Sequence, residues 1–256
     1  MRTTTGVHVT VWGEGDPVVF VHGSFGWGEE TWRDQRPLAD HYRLLLIDRR
    51  GFGQTPPDGR VDFARDAEDV AELVEEGAHL VGHSYGGVVS LLAAAMGPDA
   101  VRSLTLIEPP AFGVARGADP VEELIRNIAE AAASTEDPAE YRVEFLRGFG
   151  FPAGSTALEG AELEAARSSM TERPPWEAEI PLDDLASSGL RVLLIQGDWC
   201  PAPDSARALA GAAFRAVCDV LHDRLHAERA VFPAAHNAQR LGELFNRRLR
   251  TFWEAA

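Results

Sequence analysis

The chain has 256 residues, with 40 acidic and 24 basic side chains and a formal charge of −16 at neutral pH. That charge argues against nucleic acid and anionic membrane surfaces as partners. Every basic residue is an arginine, which excludes Schiff-base chemistry on a lysine, and the two cysteines, Cys200 and Cys218, show neither a disulfide framework nor metal-binding spacing.

Residues 7–12 alternate and read as an edge strand, closed by the turn Gly13-Glu14-Gly15-Asp16-Pro17. Residues 18–21 and 43–47 read as buried strands that end at His22-Gly23 and at Asp48. Residues 66–75 carry Ala67, Val70, Ala71 and Val74 at helical spacing. A buried strand over 78–81, a small-residue helix over 87–95 and a strand over 103–107 follow. From about Gly113 to Ser188 strand-like runs vanish, and 119–133, 139–147 and 159–170 read as helices between Gly- and Pro-rich joints. The strand pattern resumes at 190–195, followed by a helix near 204–216, a strand near 229–232 and a closing helix near 241–253.

Short apolar runs alternating with helices imply an α/β fold, a doubly wound and mostly parallel sheet covered on both faces. Residues 113–188 read as a helical cap inserted into a core made of 1–112 and 189–256, which suits this length better than two independent domains. The start of the chain shows no signal-peptide pattern. Apolar runs such as 44–47 are too short to cross a bilayer. A cytoplasmic monomer or homodimer is expected.

Gly82-His83-Ser84-Tyr85-Gly86 is a G-x-S-x-G sequence set between a strand and a helix. A nucleophile elbow needs that context: the turn strains the serine backbone, so its neighbours two residues away must be small. Ser84 is therefore the candidate nucleophile. Serine is a poor nucleophile alone and needs a base, a group to orient the base, and donors for the oxyanion. His236 lies just past the last strand, at the sheet edge where reacting groups gather in open α/β sheets, and is the candidate base. After the second strand, His22-Gly23-Ser24 places a main-chain N–H where it can meet the oxyanion, partnered by the N–H of Tyr85. Asp48, in the loop that runs to Thr55, is read as pinning that loop by an ion pair with an arginine.

Taken together, these pieces resemble the α/β-hydrolase superfamily, in particular its small lidded esterase, haloperoxidase-like and C–C hydrolase branch. The resemblance rests on the Gly13-Glu14-Gly15 turn, His22-Gly23-Ser24, Asp48-Arg49-Arg50-Gly51-Phe52-Gly53, the segment from His79 to Gly87, and the tail with His236. It implies Ser84 as nucleophile, His236 as base, Ser24 and Tyr85 as oxyanion donors, and no cofactor. The family usually carries its acid a few residues after the strand 192–195, in a Gly-x-x-Asp pattern. Here that position is Cys200, in Gly197-Asp198-Trp199-Cys200, and a thiol does not stabilise an imidazolium as a carboxylate does. Glu108, at the end of the preceding strand, is the favoured substitute; Asp198, Asp204 or no acid at all are the alternatives.

A pocket between cap and sheet draws on Phe25, Trp27, Phe112, Phe149, Trp176 and Trp199, with Phe145 and Phe151 as further candidates. Their character points to a small apolar substrate. The expected activity is hydrolysis of an ester, lactone or thioester through an acyl-enzyme on Ser84. The alternatives are acyl elimination, cyclisation or transfer at the same site, or a degenerate hydrolase that binds a small ligand.

Overall fold

The computed structural model describes residues 6–74 and 77–255. Seven strands form one sheet: β1 (His8–Trp12), β2 (Asp16–Val21), β3 (Tyr42–Asp48), β4 (Ala78–His83), β5 (Val101–Ile107), β6 (Val192–Gly197) and β7 (Glu228–Phe232). Their spatial order is β1-β3-β2-β4-β5-β6-β7. Only β1 runs antiparallel to its neighbour; the remaining pairs are parallel.

Side-chain alternation along each strand divides the apolar residues between two cores. Val18 and Phe20, Leu44 and Leu46, and Leu193 and Ile195 face one side. Val19 and Val21, Leu45 and Ile47, and Val192 and Leu194 face the other. Both faces are covered, which is why these strands read as continuous apolar runs rather than as alternating ones.

Ten α-helical segments are present among the described residues: α1 (Gly28–Thr31), α2 (Phe63–Val74), α3 (Tyr85–Met96), α4 (Asp119–Ser134), α5 (Pro138–Gly148), α6 (Gly160–Met170), α7 (Leu182–Ser187), α8 (Asp204–Ala206), α9 (Ala212–Leu225) and α10 (Glu243–Glu254). Four of them, α4 to α7, lie in the stretch between β5 and β6, which contains no strand. Asp137 caps α5 by accepting from the N–H groups of Ala139 and Glu140, each at 2.9 Å.

The expected helix over 66–75 starts earlier, at Phe63, and residue 75 lies outside the described residues. The expected helix over 204–216 runs on to Leu225, with a π-helical stretch at Arg207–Gly211 joining α8 to α9. The extension buries Val217, Cys218 and Leu221, one more apolar stripe on the core. None of the helices in the described residues is long and apolar enough to cross a membrane.

Candidate active site

The elbow forms where β4 meets α3. Ser84 sits between them at φ 51° and ψ −126°, a backbone that non-glycine residues rarely adopt. Small neighbours make it possible. A Cβ on Gly82 would stand 2.5 Å from the Gly86 carbonyl oxygen, and one on Gly86 would stand 2.5 Å from that of His22. Gly23 is equally constrained, since a Cβ there would lie 2.8 Å from Ser84 Cβ. The Ser84 N–H donates to the Ile107 carbonyl at 2.9 Å, so the elbow is tied to the end of β5.

Strain gathers around this point. Of the five non-glycine residues at positive φ among those described, Ser84 is the elbow, Phe25 lines a cavity with it, Glu108 and Trp199 are hydrogen-bonded to each other beside His236, and His226 ends α9. Such residues persist where the surroundings over-determine them, and they cluster at functional sites.

His236 follows β7 and is brought against the end of β5. Its Nδ1 lies 2.9 Å from Glu108 Oε2. The Glu108 carboxyl is 1% exposed, and its other oxygen accepts from the Gly197 N–H at 2.9 Å and from Trp199 Nε1 at 2.8 Å. A carboxylate with those partners takes the Nδ1 proton of the imidazole as its third donor, leaving Nε2 as the basic nitrogen. The ring also packs against Phe214 and His83, with centroids at 4.6 and 4.9 Å. Among the described residues no hydrogen bond joins the Ser84 hydroxyl to the His236 ring; the two line one chamber. Catalytic hydrogen bonds are often long until substrate arrives.

The other carboxylates stand elsewhere. Asp198 accepts from the Cys200 N–H at 2.9 Å, and Asp204 pairs with Arg207 at 2.5 Å on the surface. Asp204 is the first residue of α8, away from the imidazole's partner Glu108. Cys200 is exposed. The premise of a site without a carboxylate fails, because one reaches the imidazole from β5.

Two cavities meet at Ser84. The inner one, about 240 Å³, is walled by Phe112, Phe149, Trp176, Ile128 and Met170, with Glu172 as its one carboxylate. The outer chamber, about 670 Å³, includes Phe25, Phe151, Arg142, Arg240 and His236. Phe145 borders both. Trp27 and Trp199, expected to line the pocket, do not. Trp27 packs against Phe52 and Val61. Trp199 is fully buried behind His236, where its indole N–H serves Glu108.

Asp48 also departs from expectation. It accepts the N–H groups of Gly28 and Gln54 at 2.8 and 2.9 Å instead of an arginine. Its neighbours take the ion pairs. Arg50 bridges to Asp69, and the wholly buried Arg49 bridges to Asp66 at 3.0 Å and to Glu172 at 2.6 Å. Burial pushes the Asp66 and Glu172 carboxyls above their ordinary range, against the pull of Arg49. Glu172 is a residue that the sequence reading missed, since only the tertiary fold brings it to Ser24 and Arg49.

Three buried imidazoles, His22, His79 and His83, are held well below or near the bottom of the histidine range, in each case chiefly by burial. Arg49 adds to this at His22, Arg102 at His79, and His236 at His83. In the unfolded chain an imidazole titrates at about 6.5. As the pH falls through that value the unfolded chain takes up protons that the folded one refuses. These groups therefore favour the fold fully above about pH 6.5 and withdraw that support below it. The share of His79, lowered to about 4, is spent by that pH. Raised carboxyls such as Asp66 and Glu172 act with the opposite sign, so the difference between variants is the clean reading. Urea unfolding from about pH 7.5 to about pH 4.5 is expected to show a shallower acid loss in His79→Gln than in the parent protein.

A seven-stranded, doubly wound sheet with a strained serine at a strand-to-helix elbow, and a carboxylate-bound imidazole at the same edge, defines an enzyme of the nucleophile-elbow class. Residues 18–241 match the model of the alpha/beta hydrolase family, and the chain belongs to that family. A pimeloyl-(acyl-carrier protein) methyl ester esterase of Methylococcus capsulatus is 33% identical over 228 residues, 86% of this chain and 85% of that protein. The dihydrolipoyllysine-residue acetyltransferase component of an acetoin cleaving system from Cupriavidus necator is 31% identical over 234 residues, 82% of this chain but 59% of that protein. An alpha/beta hydrolase of Sphaerobacter thermophilus superposes with a TM-score of 0.69 at 22% identity, covering 99% of each chain. An esterase from Exiguobacterium antarcticum gives 0.68 at 20%, covering 99% of this chain and 98% of that one.

Proposed function

We propose that the protein is a serine hydrolase that cleaves an ester, lactone or thioester of a small apolar acyl group. The observation that carries this reading is the strained Ser84 sharing a chamber with an imidazole whose far nitrogen is held by a buried carboxylate. Ser84 Oγ attacks the carbonyl carbon while His236 Nε2 takes its proton. The charge that develops on the carbonyl oxygen is met by the main-chain N–H groups of Ser24 and Tyr85, helped by the positive end of α3. His236 then returns the proton to the leaving oxygen or sulfur, and water, activated by the same ring, releases the acyl group.

The inner cavity suits the acyl arm, since its wall is mostly aromatic and aliphatic. The wider outer chamber suits the alcohol or thiol that leaves. In this reading residues 113–188 act as a cap whose helices roof both spaces, and Phe112, Phe149 and Trp176 contact the acyl arm while Phe25 borders the exit. The Methylococcus relative, named a methyl ester esterase, favours an ester over other acyl substrates. A fluorophosphonate probe tests the proposal. It is expected to label Ser84 rapidly, as read by peptide mass spectrometry, and p-nitrophenyl esters of increasing chain length are expected to lose turnover once the arm outgrows the inner cavity. Labelling at another residue, or none, would overturn it.

A further inference from the structure

Residues 168–173 are stitched to the sheet domain beside the elbow. Ser168 Oγ donates to the Gly51 carbonyl at 2.5 Å. Ser169 Oγ accepts the Phe25 N–H at 2.9 Å and donates to the Ala165 carbonyl at 2.8 Å. Glu172 Oε2 accepts from Ser24 Oγ at 2.5 Å, and its Oε1 from Arg49 at 2.6 Å. The Arg173 N–H donates to the Val61 carbonyl at 2.8 Å, and its own carbonyl accepts the Tyr85 hydroxyl at 3.1 Å.

Among the residues gripped, Ser24, Phe25 and Tyr85 share the cavities with Ser84. Phe25 is held at φ 61°, a backbone that reverts unless something outside the loop fixes it. Arg49 extends the grip. While bound to Glu172 it also donates to the His22 and Gly23 carbonyls, at 3.0 and 3.1 Å. A carboxylate two residues past α6 is thus wired through one buried guanidinium and one hydroxyl to every residue of the loop from His22 to Ser24. Both oxygens of Glu172 are engaged in this way, so its place in the inner cavity wall supplies order rather than a free charge.

We propose that Glu172 and Ser169 are positioning residues for the reaction at Ser84, holding Ser24 and Phe25 so that the loop meets the oxyanion. A seated segment 168–173 is then a condition for a working oxyanion hole. The inference rests on the serine hydrolase reading above.

A trifluoromethyl ketone with a short alkyl arm tests it. Ser84 Oγ bonds to the ketone carbon, the carbonyl π bond opens, the Oγ proton passes to His236, and the new alkoxide needs the same donors as the reaction. The matched trifluoromethyl alcohol fills the cavity without adding to serine. In Glu172→Gln the ketone Ki is expected to rise about tenfold to a hundredfold, with kcat falling in parallel. The alcohol Ki, which reports ground-state binding alone, is expected to move less than about threefold, and KM is expected to move less than kcat. Ser169→Ala is expected to move the same way, and Glu172→Asp to recover part of the loss. Unchanged ketone affinity in Glu172→Gln and Ser169→Ala would overturn the positioning role while leaving the hydrolase reading standing. A wild-type protein that forms no hemiketal, followed by its ¹⁹F signal, would overturn both. Should near-ultraviolet circular dichroism show that Glu172→Gln does not fold, Ser169→Ala decides alone, because it removes a single hydroxyl.

Discussion

Replacing Ser84 by alanine is expected to lower kcat on an activated ester by roughly five to six orders of magnitude, with KM little changed. The size follows from the division of labour at the site. Without Oγ the carboxylate-oriented imidazole has no hydroxyl to deprotonate, and the covalent route closes. The proposed oxyanion donors and the cavity remain, and on their own such features leave a residual acceleration over water of about 10³ to 10⁴. Stability should be nearly unaffected. The structural bonds of Ser84 come from its main chain, the N–H to Ile107 and the carbonyl to the Gly87 N–H at 2.7 Å. Its hydroxyl makes no hydrogen bond among the described residues, so deleting it orphans no partner. A melting curve that overlays the parent, beside steady-state kinetics that collapse, is the expected pair of results. Turnover within tenfold of the parent would remove Ser84 from the mechanism.

Glu108→Gln is expected to cost about 10⁴ in kcat, the loss seen when a triad acid becomes an amide and fixes the wrong imidazole tautomer. The hydrogen bonds around Glu108 dictate which way the amide must turn. One carboxylate oxygen accepts two donors, the Gly197 N–H and the Trp199 indole. Only the amide oxygen can replace it, so the amide nitrogen is driven to the other position, facing His236 Nδ1. Two donors then meet unless Nδ1 gives up its proton. The ring responds by carrying the proton on Nε2, where it cannot accept from Ser84. The variant should therefore keep its fold and its ligand affinity while losing chemistry, and raising the pH should restore little. A loss below about tenfold would mean that another group orients His236.

Much of the scaffold was legible in the sequence because the physics is local. Strands buried on two faces read as short apolar runs, and an elbow demands glycines at fixed offsets, so β2 to β6 and the turn at Ser84 stand out. The short α7 does not, since it sits among prolines and acidic residues with little periodicity to betray it. The acid was harder. Its usual place holds a cysteine, and the choice of Glu108 becomes visible as geometry only when β4, β5 and β6 lie side by side. Aromatic residues near the site were interchangeable on paper: Phe112 faces the cavity, while Trp199 supports the carboxylate from behind. The pairing of Arg49 with Glu172 spans 123 positions, and no local pattern announces it.

Ser84 and Glu108, the proposed nucleophile and acid, follow adjacent parallel strands, bound to each other where the Ser84 N–H meets the Ile107 carbonyl. In such an arrangement the ends of the strands that carry the two residues are held by the ladder, about 4.8 Å from strand to strand. Warming the enzyme should leave that spacing intact up to the temperature at which the central strands part. In the cap reading proposed above, residues 113–188 are expected to loosen before the central strands part, so activity would fade reversibly before the fold is lost.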